Sequence, residues 1–266
     1  FGGLVYPPRV ANTELYNGTS WSEVNDLNTA RSTHTGIGLS TAALSVAGQT
    51  PGAIVGITES WNGSSWTEVA DINTTRNNMS GSGTTPAGLI FGGSVGASNT
   101  GKTETWNGSA WSEVNDLNTV RSDLAGATNG TTTATLAFGG SGVSATNESW
   151  NGTSWTELGD LNTARQNLGG GGNQTSALAF AGETVAITES WDGSSWTEVA
   201  DLATARYDVN TGGGGATNKS GLAFGGNAPG GKQTATEEFS FPGSTSTTLI
   251  EGAMWFNSSS STLKGY

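Results

Sequence analysis

The chain repeats itself, and that periodicity restricts its fold more than any other property. The string Thr58-Glu59-Ser60-Trp61-Asn62-Gly63-Ser64-Ser65-Trp66-Thr67-Glu68-Val69 is echoed near Thr13, Lys102, Thr146 and Thr188. The leading Glu of each copy stands at 14, 59, 104, 148 and 189, giving steps of 45, 45, 44 and 41 residues. One β-propeller blade takes about 40–50 residues. A sixth, eroded copy follows at Thr236-Glu237-Glu238-Phe239-Ser240-Phe241-Pro242-Gly243, where Phe replaces Trp and Pro-Gly replaces Asn-Gly. The count predicts an all-β fold, a six-bladed β-propeller of four-stranded antiparallel blades. A single domain is expected over residues 1–266, with units near 1–30, 31–75, 76–120, 121–164, 165–205 and 206–250.

Within one unit the strands follow from pattern. Residues 168–172, Leu168 and four glycines, predict the innermost strand, because strands crowded near an axis need small side chains. Residues 178–182 form an apolar run ended by Gly182, residues 187–191 a third strand and residues 195–199 a fourth. Asn-Gly between the last two predicts a hairpin with a type I′ turn, whose central residues need positive φ. Whether its loop holds two residues or four, Trp61 and Trp66 share one face with Glu59 and Glu68, since the side-chain period is two. Such Trp pairs are either a stacking ladder for sugar rings or the packing between blades. One pair per blade, each ring burying about 200 Å², predicts packing. The residues concerned are Trp21, Trp61, Trp66, Trp106, Trp111, Trp150, Trp155, Trp191 and Trp196.

A charged segment follows each hairpin. It runs from Asp26, Asp71, Asp116, Asp160 and Asp201 to Arg31, Arg76, Arg121, Arg165 and Arg206, five residues later each time. The Asp is expected to cap its own turn, and the Arg to pair with a carboxylate of its own or the next blade. Five copies with three acids and one Arg account for ten of the twelve net negative charges. The acidity therefore belongs to the scaffold, and it disfavours nucleic acid and anionic membranes as partners.

Composition narrows the rest. Apolar residues are only 33% of the chain, a level compatible with disorder until the regular placement of the tryptophans is noted. With no cysteine there are no disulfides and no thiolate for catalysis or zinc. No apolar run approaches the roughly 20 residues needed to cross a bilayer as a helix. The opening Phe1-Gly2-Gly3-Leu4 resembles neither a signal peptide nor an initiator start, so a processed or excised segment is expected. Abundant Gly, Ser, Thr and Asn with little Lys reads as an exposed, protease-hardened surface more than a cytosolic enzyme.

Phe91-Gly92-Gly93, the aromatic Trp106, the second Trp111 and then Arg121 resemble the kelch repeat, and the likeness spans nearly all of residues 1–243. It implies a propeller of four-stranded blades. Its two aromatics are five residues apart, closer than in typical kelch units. Residues 190–196 are also similar to the sialidase Asp-box but lack one residue between Asp192 and Gly193. Residues 251–266 resemble a short hairpin of bacteriophage tail and appendage proteins, marine ones above all. That resemblance implies a virion or cell-surface appendage location and a part in attachment or docking. The partners would be other appendage proteins or a host-surface protein or glycan.

Catalysis is not expected. The single histidine, His34, stands alone, every unit carries the same carboxylates, and the Asp-x-Asp-x-Asp spacing of a calcium loop is missing. No cofactor or metal is called for; glycoside hydrolysis by a carboxylate pair is the residual enzymatic reading. A lectin-like propeller with equivalent pockets is the alternative to docking. The irregular segments 49–56, 94–101, 141–145 and 227–233 link second and third strands at one end, making Gln49, Ser94, Ser98, Ser141, Asn227 and Lys232 the candidate binding-loop residues. Residues 253–257 and 262–266 are expected to form a hairpin that closes the first blade.

Overall fold

A computed structural model of the chain describes residues 1–4, 9–209, 217–240, 254–257 and 262–265. Four copies of the unit each form a four-stranded antiparallel sheet. The first comprises Thr35–Leu39, Ala42–Val46, Thr58–Trp61 and Trp66–Val69. The second comprises Ser80–Thr84, Ala87–Phe91, Thr103–Trp106 and Trp111–Val114. Ala125–Gly126, Thr135–Phe138, Asn147–Trp150 and Trp155–Glu157 make the third. Gly169–Asn173, Ser176–Phe180, Thr188–Trp191 and Trp196–Glu198 make the fourth. Strand order equals chain order in all four, and the inner strands of successive blades lie side by side.

Six complete blades were expected; the described residues contain four. Among the described residues the first unit contributes the hairpin Thr13–Tyr16 and Trp21–Val24 and the short pair Gly3–Leu4 with Arg9–Val10, not a four-stranded sheet. The last contributes a two-stranded sheet of Ser220–Phe224 and Thr236–Ser240, flanked by residues 210–216 and 241–253 outside the described set. These two partial sheets touch each other: the Trp21 indole N–H donates to Thr236 Oγ1 at 2.9 Å, and its ring packs on Phe224 at 5.0 Å. The molecule is thus a β-propeller. Among the described residues, Met254–Asn257 and Thr262–Gly265 pair with each other as a hairpin.

Packing between blades is apolar and repeats with the sequence. One cluster joins Ile37, Leu44 and Val46 of one blade to Trp106 and Trp111 of the next, and another joins Leu89 and Phe91 to Trp150 and Trp155. A third joins Leu136 and Phe138 to Trp191 and Trp196. Close approach explains the glycines. A Cβ on Gly126 of an inner strand would lie 2.7 Å from the Phe91 ring of the preceding blade. At the end of the second strand, Gly93 takes φ +108°, and a Cβ there would meet the Asn77 carbonyl oxygen at 2.6 Å, so no other residue fits.

The outer hairpins depart from the expected turn. Trp61 and Trp66 are the last cross-strand pair, so residues 62–65 form a four-residue loop rather than a two-residue type I′ turn. Asn62 keeps negative φ; its side-chain oxygen accepts the N–H groups of Ser64 and Ser65, both at 2.9 Å, while Gly63 alone adopts φ +95°. An Asn side chain that mimics a backbone acceptor explains the preference as well as left-handed tolerance does. Asp192 serves identically in the fifth copy.

Candidate functional site

In the four complete blades the leading Glu, both Trp and the paired Arg side chains lie inside the fold. Glu59, Glu104, Glu148 and Glu189 are fully buried, as are Arg31, Arg76 and Arg165, with Arg121 nearly so. Each Arg pairs with the Glu of the blade it leads into: Arg31 with Glu59, Arg76 with Glu104 at 2.5 Å, Arg121 with Glu148 at 2.6 Å, Arg165 with Glu189 at 3.1 Å, and Arg206 with Glu237. Counted from the hairpin that each Arg follows, its partner lies in the next blade. Glu104 also accepts the Asn73 N–H at 2.7 Å, the Asn73 amide at 2.9 Å and the Thr74 N–H at 3.2 Å. Burial pushes the guanidinium pKa of Arg76, Arg121 and Arg165 down, and the adjoining carboxylates oppose that. The pairing also relieves a local conflict. Glu104 stands directly across from Glu113, and like charges so placed repel unless one is neutralised.

The Asp residues act at longer range than expected. Instead of capping their own turns, Asp26, Asp116, Asp160 and Asp201 accept the backbone N–H of Thr13, Thr103, Asn147 and Thr188 at 3.1–3.3 Å, each thirteen residues back. They tie the connection to the start of the third strand of the same unit. Asp71 occupies the equivalent exposed place.

The tryptophans divide by role. Trp61, Trp106, Trp150 and Trp191 donate to carbonyls in the inner turn of their own blade, those of Ser40, Thr85, Thr132 and Gln174. Trp66, Trp111 and Trp155 donate instead to Thr13, Thr58 and Thr103 of the preceding unit, at 3.0–3.2 Å. Trp196 has no such acceptor, because Asn147 replaces the threonine, and its indole N–H and the Asn147 side-chain oxygen are both buried without partners. Trp21 is half-buried; the other eight are 0–6% exposed. Rings so buried offer no stacking surface to a sugar. His34, 8% exposed, hydrogen-bonds through Nε2 to the Phe1 carbonyl at 3.0 Å, a structural role.

The irregular segments do gather on one face. Gln49 forms an isolated bridge with Ser32, Ser94 with Asn77, and Asn227 with Tyr207. Ser141 donates its N–H to the Ser122 carbonyl, and the Asn99 amide reaches Ser141 Oγ at 2.7 Å, linking two blades. Ser98 and Lys232 lie exposed at the loop tips. A second element on this face escaped the sequence reading. Thr33, Asn78, Asp123, Asn167 and Asp208 all hold left-handed φ of +53° to +58°. The Asn78 N–H donates to the Thr33 carbonyl, Asp123 to Asn78 and Asn167 to Asp123, at 2.8–2.9 Å, so a backbone chain runs from blade to blade. Burial pushes the Asp123 carboxyl up, and the charge of Asp208 adds to it. The available signal was an Asn, Asp or Thr two residues after every repeat Arg, types that tolerate or cap such turns.

This polar face can donate and accept hydrogen bonds around the mouth of the ring. Among the described residues no three His, Cys, Asp or Glu side chains are grouped to hold a metal. The fold and site define a β-propeller with four-stranded antiparallel blades. No protein-family model matches the chain, and no curated protein does. The likeness to kelch repeats therefore rests on the repeat residues themselves.

Proposed function

We propose that this domain is a non-catalytic, kelch-like propeller that serves as a docking or structural part of a virion or surface appendage. One observation carries the reading: the repeat's Trp, Arg and inner Glu side chains are committed to joining blades, leaving the small polar loops of one face as the irregular surface. A glycosidase needs both carboxylates within reach of substrate. In each cross-strand Glu pair of the four complete blades one member is buried beneath an Arg. Loops on one face of a repeat ring are where such folds bind, and Val95 and Val143, each 45% exposed, add apolar contact there.

Antibody labelling of the native source particle in the electron microscope tests the location. Label on a tail, fibre or outer surface is expected, and label confined to a cell interior would overturn the reading. A glycan array with Kd values below about 1 mM would replace docking by a lectin role, and turnover of a glycoside would end the non-catalytic reading.

A further inference from the structure

Asn-Gly occurs at Asn17, Asn62, Asn107, Asn129 and Asn151. Asn62, Asn107 and Asn151 open the outer hairpin loops of complete blades, and the fourth complete blade carries Asp192-Gly193 in the same place. A nitrogen of the chain reaches the preceding side-chain amide most easily when it belongs to glycine, which brings no Cβ into the approach.

Each of these loops aims donors at the amide. Asn62 Oδ1 accepts the Ser64 N–H, the Ser65 N–H and the Ser64 hydroxyl, all at 2.9 Å. Asn107 Oδ1 accepts the Ser109 N–H at 3.0 Å and the Ala110 N–H at 2.9 Å, and Asn151 Oδ1 accepts the Thr153 and Ser154 N–H groups at 2.9 Å. Two N–H groups on one carbonyl oxygen stabilise the negative charge that a tetrahedral adduct places there. All three asparagines are exposed, and among the described residues nothing accepts the N–H of Gly63, Gly108 or Gly152. The Asn129 pair differs. Gly130 is buried and its N–H donates to the Ala127 carbonyl at 2.8 Å, so that nitrogen is already engaged.

The product of such an attack already stands in the fold. Asp192 Oδ1 accepts the Ser194 N–H and hydroxyl at 2.8 Å and the Ser195 N–H at 2.9 Å, and Gly193 holds φ +99° where Gly63 holds +95°. These bonds, the one from the Ser195 N–H foremost, hold the Asp192 carboxyl below the usual carboxylate range. A carboxylate accepts them more strongly than an amide does.

We propose that Asn62, Asn107 and Asn151 are sites of self-promoted deamidation, each converted to Asp in the folded chain with water as the co-reactant. In the first loop the Gly63 nitrogen bonds to Asn62 Cγ, closing a succinimide ring, while the Cγ–Nδ2 bond breaks. The Gly63 N–H proton passes to the departing nitrogen, which leaves as ammonia. Water then opens the ring at Cγ, restoring the ordinary backbone with a side-chain carboxylate. Opening at the main-chain carbonyl would give isoaspartate, which lengthens the backbone and withdraws the acceptor from the loop N–H groups. The loop therefore favours Asp. Each conversion adds a negative charge beside the inner turns, since a Cβ on Gly63, Gly108 or Gly152 would lie 3.3–3.4 Å from Thr41, Pro86 or Thr133. That is the end of the propeller away from residues 49–56, 94–101 and 141–145.

Peptide mapping by mass spectrometry tests this on the full chain, aged in mildly alkaline heavy-oxygen water both folded and in urea. In the folded protein Asn62, Asn107 and Asn151 should take up the heavy oxygen at least about tenfold faster than Asn129, and enzymatic isoaspartate methylation should label only a minor part of the product. In urea the difference between sites should vanish and isoaspartate should predominate. Asn62→Asp should leave Tm unchanged or higher. Conversion at Asn129 as fast as in the hairpins, intact hairpin asparagines after the urea sample has reacted, mostly isoaspartate from the folded chain, or a lower Tm for Asn62→Asp would each overturn the inference.

Discussion

Replacing Trp111 by alanine should unlock two blades at once. The ring is 5% exposed and sits in a cluster with Ile37, Leu44, Val46, Met79 and Ile90, all from outside its own strand. It also lies 5.3 Å from Trp106 across the hairpin, with its N–H on Thr58 Oγ1 at 3.2 Å. Removing a buried Trp costs about 3–5 kcal/mol in transfer and cavity terms. Losing a hydrogen bond to a hydroxyl in a fully buried residue adds roughly 1 kcal/mol. The expected loss is therefore about 4–6 kcal/mol, a large share of a typical domain's stability. Trp111→Phe keeps most of the ring and should lose about 1–2 kcal/mol. Trp21→Ala, at a half-buried site, should lose less than Trp111→Ala. Guanidinium denaturation followed by circular dichroism and by fluorescence measures the series, and agreement of the two probes checks that a single transition is being read. If Trp111→Ala melts within about 1 kcal/mol of the parent, or if its only defect is lost sugar binding, the inter-blade role assigned to this ring is wrong.

Asn147→Thr should stabilise the protein by about 0.5–1 kcal/mol, since it gives the Trp196 N–H the acceptor that Thr58 gives Trp111 and removes an unpartnered buried oxygen; a lower denaturation midpoint would contradict this. Glu104→Ala should cost about 3–5 kcal/mol by leaving Arg76 buried without its carboxylate, whereas Glu113→Ala on the exposed side of the same pair should lower the denaturation midpoint far less. His34 should make stability fall on acidification, because burial pushes its pKa down to about 3 while the unfolded side chain keeps about 6.5. The unfolded state then holds the extra proton between those values, so the contribution is complete above about pH 6.5 and declines by up to about 1.4 kcal/mol per pH unit below it. Urea melts at pH 7.5, 6 and 5 should show a smaller decline for His34→Gln, and equal slopes would refute the assignment.

The local order of each blade was legible in the sequence because it depends on neighbours a few residues apart. The glycine-rich inner strand, the apolar run ended by Gly182, the Trp-bearing hairpin and the burial of its rings follow from alternation, turn chemistry and the regular spacing of the copies. That residues 49–56, 94–101, 141–145 and 227–233 each link a second strand to a third was legible as well, since strand direction alternates within a blade. Pairings between units were another matter. Arg31 lies 28 residues from Glu59, and Trp66 lies 53 from Thr13. In a chain of near-identical copies, every such residue has an equivalent candidate partner one period away. Sequence pattern repeats with the period and so cannot distinguish a bond within a blade from one between blades. The arrangement in space breaks that tie: the connection between blades delivers its Arg and its Asn or Thr amides to the third strand of the blade it enters, and the second Trp of each complete blade faces back toward the unit before it. The left-handed positions from Thr33 to Asp208 and the unpartnered Trp196 likewise exist only once the blades stand next to one another.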